Sequence, residues 1–335
     1  MSSIFLTVLQ MSLTGSYVII VVLLIRLLLR NFPKTLIFPI WSVVAFRLMG
    51  PITLKGKFSL MPSAEGFDGG FTLLDKGAAQ SSLALLSRYD SIRIASYIWA
   101  MGFASLMIYT SVSMLLLKGK LKNASLYHDN IYEASHLKTP FVIGFIRPKV
   151  YIPAGIAHDE KNIIILHERS HIKRKDHIIK TLAFFILSVH WFNPIVWFAF
   201  KKMTDDMEIS CDETALNHCK TDMRKTYANT LVRFAYKMHP VNERITAFGE
   251  GNLEVRVQHI LGFRKPKITK TISTLIIIIA ASIGLMTDPI DIMSYEDLSP
   301  YIAESKNQDS DVNEVKLEVQ KQVRLQSEHL DKIFD

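Results

Sequence analysis

The stretch that decides the fold and the chemistry is Ile163-Ile164-Ile165-Leu166-His167-Glu168-Arg169-Ser170-His171. Apolar residues precede the polar ones, and neither Gly nor Pro interrupts the run, which predicts a helix. Residues four apart share one face of a helix, so His167 and His171 can both reach one metal ion. The His-Glu-x-x-His pattern therefore predicts a metal site.

The residue types of this pattern suit a zinc ion and a hydrolytic reaction. Neutral imidazoles are good Zn²⁺ ligands, and two of them leave positions for a third protein ligand and a water. Zinc lowers the pKa of its bound water to about 7. A neighbouring carboxylate such as that of Glu168 can take the proton as a general base. The predicted cofactor is Zn²⁺, with Glu168 as the catalytic residue.

A third ligand is expected on a later helix. Glu208 offers a carboxylate, and Asp212 shares its helical face, where it can hydrogen-bond a liganding histidine. Alternatives stay open: the acidic residues can form a solvated helix surface, and the His-Glu-x-x-His pattern can arise by chance. Cys211 can be imagined as a ligand, although a reduced, partly buried thiol is the simpler interpretation.

Hydropathy indicates a membrane protein. The 335-residue chain is 49% hydrophobic, with a mean hydropathy of +0.20 and a net charge of +8. A spanning helix needs about 20 apolar residues. We predict four spanning helices, at about 4–25, 36–54, 94–117 and 271–287. The second candidate, 36–54, is the poorest, because Pro39 and Arg47 interrupt it.

The distribution of charge predicts which side of the membrane each region faces. Residues 118–270 hold 25 Lys and Arg against 15 Asp and Glu, whereas residues 288–335 hold 5 against 12. Long regions weigh little in the bias of basic residues toward the cytoplasm, so the orientation rests mainly on the basic loop 26–34 and on Lys118, Lys120 and Lys122. These predict that 118–270 forms a cytoplasmic zinc domain. Both termini and the loop 55–91 are then extracellular. We attribute the net positive charge to contact with a lipid bilayer, which is the predicted partner. Direct nucleic-acid binding is not expected.

Residues 181–200 are almost uncharged and long enough to span a bilayer. However, His190, Asn193 and Pro194 break the run, and Asn-Pro is typical of a cap followed by the first residue of a new helix. If Glu208 is a ligand, it must also lie on the same side of the membrane as the two histidines. We therefore predict a helical hairpin at 178–202 that is buried or dips into the membrane without crossing it.

Five stretches carry a resemblance to a known family. They are residues 139–144 (TPFVIG) with 147–153 (RPKVYIP), 167–176 (HERSHIKRKD), 190–194 (HWFNP), 206–213 (DMEISCDE) and 247–250 (AFGE). In order and spacing they resemble the membrane zinc peptidases of the BlaR/MecR family, the β-lactam-responsive antirepressors of Gram-positive bacteria. The resemblance covers about residues 1–287.

This resemblance implies a gluzincin-type site, with His167, His171 and Glu208 as zinc ligands and Glu168 as catalytic base. It also implies that the region 139–153, predicted to form two short strands, supplies an edge strand that pairs with the substrate backbone. An ordinary structural hairpin is the alternative. The predicted fold is a mainly α polytopic membrane protein with four transmembrane helices and a cytoplasmic gluzincin-type α+β zinc peptidase domain.

The C-terminal region departs from the family pattern. Receptors of this family carry a penicillin-binding domain after the fourth span, and residues 288–335 contain no S-x-x-K, S-D-N or K-T-G motif. We expect the chain to lack this antibiotic sensor and to end in a short acidic extracellular tail. Apolar residues at three- and four-residue steps predict an amphipathic helix in the tail, with a disordered tail as the alternative.

Together these features predict an integral-membrane zinc metalloendopeptidase that acts in regulated proteolysis and signalling. The expected substrate is a protein, such as a winged-helix transcriptional repressor or the chain itself, and a homodimer is a further expected assembly. Two alternatives stay open. One is a transmembrane signalling scaffold that keeps an idle zinc site, and the other is a membrane-protein quality-control peptidase.

Overall fold

Helices dominate the residues that the computed structural model describes, which are 1–50, 54–56, 58–61, 82–135, 137, 139–219, 222–238, 250–265 and 267–288. All of them belong to one unit, Met1–Asp288. The predictions for most of the loop 55–91, for residues 247–249 and for the tail 289–335 lie outside the described residues.

Three helices of the described residues are long and apolar enough to cross a membrane. They are α1 (Ser2–Leu28), the segment Asp90–Asn123 that takes in most of α4 (Ser82–Lys120), and α10 (Ile268–Met286). In the most apolar part of the middle segment, 0% of the residues are buried against the rest of the protein. An apolar surface of this size is typical of contact with a membrane.

The predicted second span, 36–54, is not one long helix. The chain forms α2 (Lys34–Ile37), a 3₁₀ turn (Phe38–Ile40) and α3 (Trp41–Met49). Pro39 lies in the irregular turn, and it has no amide hydrogen to donate to a helical hydrogen bond. A fourth spanning helix therefore stays a prediction.

Arg47 joins the end of α3 to the end of α10. It is only 6% exposed, and its guanidinium donates to the carbonyl oxygen of Leu285 (2.9 Å) and to the carboxylate of Asp288 (3.2 Å). Beside it, β1 (Leu54–Lys55) pairs in parallel with β6 (Thr287–Asp288). The arginine that interrupts the apolar run is thus paired within the protein.

A four-stranded sheet precedes the helix of the metal site. Its order is β2 (Ser125–His128), β3 (Ile131–Ala134), β5 (Lys149–Pro153) and β4 (Phe141–Ile143), with β3 and β5 parallel and the outer pairs antiparallel. The two strands predicted within 139–153 are confirmed as β4 and β5, and β4 lies at the edge.

Gly144 allows the chain to leave β4 and return along β5. Its φ is 116°, and a Cβ at this position would lie 2.7 Å from the carbonyl oxygen of Arg147. Residues with a side chain rarely adopt such a φ. The glycine therefore permits the tight connection between β4 and β5.

The metal-site helix is followed by two further packed helices. The predicted helix is α5 (His158–Arg174), and α6 (Asp176–Val189) begins directly after Lys175, which has a left-handed φ of 61°. A turn at 190–193 then leads into α7 (Pro194–His218). Asn193 caps α7 by accepting a hydrogen bond from the amide of Ile195 at 2.9 Å, as the sequence predicts. The remaining helices are α8 (Arg224–Met238) and α9 (Glu250–Gly262).

One apolar core joins α1 and α10 to the metal-site region. It contains buried side chains from α1, α3, α6, α7 and α10, represented by Ile19, Val43, Leu187, Met207 and Leu285. Each of these side chains is at most 2% exposed. The helix that carries Glu208 therefore shares one apolar core with two of the helices that are suited to span the membrane.

Two acidic side chains of α7 strengthen this connection. Asp206 accepts hydrogen bonds from Arg26 Nε (2.6 Å) and Trp41 Nε1 (3.1 Å), and it is fully buried. Glu213 accepts from the backbone amides of Lys34 (2.9 Å) and Thr35 (2.8 Å). Because Glu208 lies between these two acids, its segment of α7 is fixed at both ends to the N-terminal helices.

Candidate metal centre

Two histidines of α5 converge as the four-residue spacing predicts. The Nε2 atoms of His167 and His171 lie 3.1 Å apart. Both side chains are mostly buried, with 14% and 13% exposure. One turn of α5 therefore brings two imidazole nitrogens to a common point.

Glu208 brings a carboxylate to the same point from α7. Its oxygens lie 3.6 Å from His167 Nε2 and 3.8 Å from His171 Nε2. Ligands at about 2.1 Å from a tetrahedral zinc ion are separated by about 3.4 Å. The three separations lie close to that value, and two imidazoles with one carboxylate are a donor set that zinc accepts, so the residues fit a zinc ion.

The face of His167 opposite this point is held by a network of three residues. His167 Nδ1 lies 2.8 Å from the Tyr227 hydroxyl and 3.2 Å from Asp212 Oδ1, and the Tyr227 hydroxyl donates to the same carboxylate at 2.9 Å. Arg256 donates two hydrogen bonds to Asp212, at 2.8 and 2.9 Å. Asp212 thus lies behind a histidine, where the sequence analysis places it.

His171 has its own supporting carboxylate, Asp176. The Asp176 carboxylate lies 2.7 Å from His171 Nδ1 and also accepts from Arg174 Nε at 3.2 Å. The left-handed Lys175 reverses the chain at the end of α5 and so returns the next residue toward the helix. A carboxylate on Nδ1 leaves Nε2 free for a metal ion.

Sequence reasoning misses the roles of three of these residues: Asp176, Tyr227 and Arg256. The first could be found from its position, five residues after the second histidine and directly after the helix. The other two come from α8 and α9, far along the chain, and no local pattern links them to α5.

Cys211 is the other donor near the histidines. It is fully buried, and its thiol donates to the carbonyl oxygen of His167 at 3.4 Å. Its sulfur and a ring nitrogen from each histidine lie within 4.8 Å of one another. Burial alone would raise the pKa of this thiol, but the two histidines outweigh it and lower the pKa. The geometry thus brings both Glu208 and Cys211 to the histidines.

The site is an electrostatically coupled cluster. Burial opposes charge on every member, but the Asp176 hydrogen bond raises the pKa of His171 to about 10. Hydrogen bonding to His167 and the charge of Arg256 together outweigh burial and lower the pKa of Glu208. The lowered pKa favours the ionised carboxylate, which is the form that can bind a metal ion, and one of its oxygens lies 3.1 Å from Arg256 Nη1.

Glu168 differs from the other carboxylates of the site. It is 6% exposed, and burial raises its pKa, although the neighbouring histidines oppose this effect. A carboxylate whose pKa is raised toward neutrality is a better proton acceptor. Its environment suits a general base.

Two cavities meet at Pro140, His167 and Glu168. The first, of about 240 Å³, is also lined by Glu208, His177 and the start of β4. The second, of about 220 Å³, is mostly apolar and is lined by side chains of α5 and α8. The buried carboxylate of Glu168 therefore lines both cavities.

The sequence relationships agree with this geometry. The chain belongs to the BlaR1 peptidase M56 family, whose sequence profile matches residues 6–260. Among its relatives is the regulatory protein BlaR1 of Bacillus licheniformis, 30% identical over 41% of this chain and 27% of the relative. The methicillin resistance mecR1 proteins of Staphylococcus aureus and Staphylococcus epidermidis are 27% identical over 41% of this chain and 22% of theirs. The chain thus spans about a quarter of the length of these relatives, and BlaR/MecR-type membership is confirmed.

Proposed function

We propose that this chain is an integral-membrane zinc metalloendopeptidase whose active site faces the cytoplasm. The observation that carries the proposal is the spacing of 3.1, 3.6 and 3.8 Å among the donor atoms of His167, His171 and Glu208, beside the buried Glu168. Zinc held by these three ligands would supply a Lewis acid that polarises a peptide carbonyl and acidifies a water molecule.

Glu168 would move the protons of the reaction. Its carboxylate lines both cavities, and burial raises its pKa. It would accept a proton from the attacking water and deliver that proton to the amine nitrogen of the leaving peptide. Asp212 and Asp176 would hold the two histidines in the orientation that directs Nε2 toward the metal.

The edge strand β4 would position the substrate. Phe141 and Val142 of this strand line the polar cavity beside Glu168. Among the described residues, β4 pairs on one side only, with β5. An extended peptide could therefore add to the free edge through main-chain hydrogen bonds, which bind many sequences alike.

Regulated proteolysis is the biological role that this arrangement favours. The segment of α7 that carries Glu208 is fixed to α1 through Asp206 and Arg26, so a change among the membrane helices can reach a zinc ligand. We propose that the substrate is a winged-helix repressor or the chain itself. The relatives are named as a regulatory protein and as resistance proteins, which supports a signalling role.

Removal and restoration of zinc tests this function. The full chain in detergent would be incubated with a proteome-derived peptide mixture, and new termini would be identified by mass spectrometry. We expect cleavage by the zinc-loaded protein, its loss on chelation, and its return with one equivalent of Zn²⁺ but not of Mg²⁺. Cleavage that persists without zinc would contradict the metallopeptidase proposal. Inactivity of the fully loaded protein would favour the scaffold alternative.

A further inference from the structure

A further cavity, far larger than the two at the candidate metal centre, lies beside the ends of two of the helices that are suited to span a membrane. Its volume is about 580 Å³, and it is lined by residues that directly follow α1 and by residues that connect α9 to α10. Because α1 ends at Leu28 and α10 begins at Ile268, the cavity lies where both helices would leave the hydrocarbon. This is the depth of lipid headgroups whichever side faces the cytoplasm.

Positive charge dominates this cavity. Its walls carry the five cationic side chains Arg30, Arg264, Lys265, Lys267 and Lys270. All five residues are exposed, and among the described residues none of them forms an ion pair with a carboxylate. Like charges gathered from two distant segments repel one another, so an anion that enters the cavity relieves the repulsion.

The one acidic side chain in the lining does not balance these cations. Glu213 is 4% exposed, and its two oxygens already accept hydrogen bonds from the backbone amides of Lys34 and Thr35. The N-terminus of α10 also has no side-chain cap among the described residues. Free amide hydrogens at a helix N-terminus favour an anion further.

The remaining wall is apolar. Phe32, Val255 and Phe263 face the cavity beside the cations. A small soluble anion would leave this apolar surface exposed to water, whereas the glycerol and the first methylenes of a lipid would cover it. We propose that this cavity binds an anionic phospholipid, with the headgroup phosphate held by the five cations. The proposal does not depend on the peptidase function.

Native mass spectrometry of the full chain in detergent tests the proposal with defined lipids. Phosphatidylglycerol and phosphatidylcholine would each be titrated into wild type and into the triple variant K265Q/K267Q/K270Q. The matched control is K118Q/K120Q/K122Q, which removes the same charge from exposed lysines at the end of α4, outside the cavity.

We expect wild type and the control to bind one phosphatidylglycerol at least about tenfold more tightly than phosphatidylcholine. K265Q/K267Q/K270Q should lose about tenfold or more in affinity for phosphatidylglycerol, and K265R/K267R/K270R should retain it. Unchanged binding by the Gln variant, or an equal loss in the control, would overturn the proposal. Displacement of the lipid by an equal concentration of glycerol 3-phosphate would assign the cavity to a soluble phosphate instead.

Discussion

At the scale of single residues, each histidine of the site is oriented by a carboxylate on its Nδ1. Asp176 lies 2.7 Å from His171 Nδ1, and Asp212 lies 3.2 Å from His167 Nδ1. Both carboxylates are buried, at 2% exposure. These contacts exist in the protein alone, so the Nε2 atoms are directed to a common point before any metal binds.

Replacing Asp176 by Asn should weaken zinc binding without changing the fold. The amide has nearly the shape of the carboxylate but not its charge, so it no longer raises the basicity of His171. Residues that support metal ligands typically contribute 10–100-fold in affinity, and we expect a loss of about that size. Competition with a chromophoric chelator would measure it. Asp222→Asn, at an exposed ion pair of 2.6 Å with Arg224, is the control, and equal affinities in both variants would contradict the role of Asp176.

Cys211 should not contribute to the metal coordination of the loaded protein. The Glu208 carboxylate places one oxygen 3.6 Å from His167 Nε2 and the other 3.8 Å from His171 Nε2, whereas the Cys211 thiol already donates to the carbonyl oxygen of His167. Zinc K-edge X-ray absorption should therefore show nitrogen and oxygen neighbours at about 2.0–2.2 Å and no sulfur at about 2.3 Å. A sulfur contribution in wild type that disappears in Cys211→Ser would replace Glu208 by Cys211 in the ligand set.

At the scale of secondary-structure elements, α7 is the part of the fold that joins the membrane helices to the metal site. It carries Glu208 and Asp212 toward α5, and on either side of them it carries Asp206 and Glu213 toward the N-terminal region. A displacement of α1 relative to α5 would therefore move Glu208, the proposed third zinc ligand.

Arg26→Gln should destabilise the protein through this helix. Asp206 is fully buried, and Arg26 is its cationic partner at 2.6 Å. Removing one member of a buried ion pair leaves an uncompensated charge and costs about 3 kcal/mol. The thermal unfolding midpoint of the full chain in detergent should fall clearly. Arg93→Gln breaks an exposed pair with Asp90 and should change the midpoint little; equal midpoints for the two variants would show that the Arg26 contact is not structural.

Local sequence patterns predict where the helices of the site lie better than they predict the contacts between those helices. The four-residue histidine spacing predicts α5, and Asn193-Pro194 predicts the start of α7, because helix periodicity and capping are properties of neighbouring residues. β2 is exposed along its whole length, so it lacks the alternating pattern that reveals a strand. Tyr227 and Arg256 meet Asp212 only through packing of α8 and α9 against α7, and no single-sequence rule gives that packing.

At the scale of the whole molecule, the charge distribution predicts that the metal site faces the cytoplasm. Three helices of the described residues are suited to span a membrane. A fourth span, between α1 and Phe58, is needed if the N-terminus and Phe58 are both to lie outside the cell, as the sequence predicts.

Substituted-cysteine labelling measures this arrangement. In a Cys219→Ser background, Lys122→Cys should react with a membrane-impermeant maleimide only in inverted vesicles, and Phe58→Cys only in intact cells. Both positions are exposed, so accessibility on either side is limited only by the bilayer. Labelling of Lys122→Cys from outside would reverse the orientation and contradict a cytoplasmic active site.

The measurement that tests the central claim most directly is peptide cleavage by Glu168→Gln at full zinc occupancy. Glu168 is not one of the three proposed ligands, so the variant should bind zinc as wild type does, while its amide cannot accept the proton from water. General acid–base groups typically contribute 10²–10⁴-fold to a rate, and we predict a fall in kcat of about that size relative to wild type with the same metal content. Cleavage at the wild-type rate by the zinc-loaded variant would contradict the account.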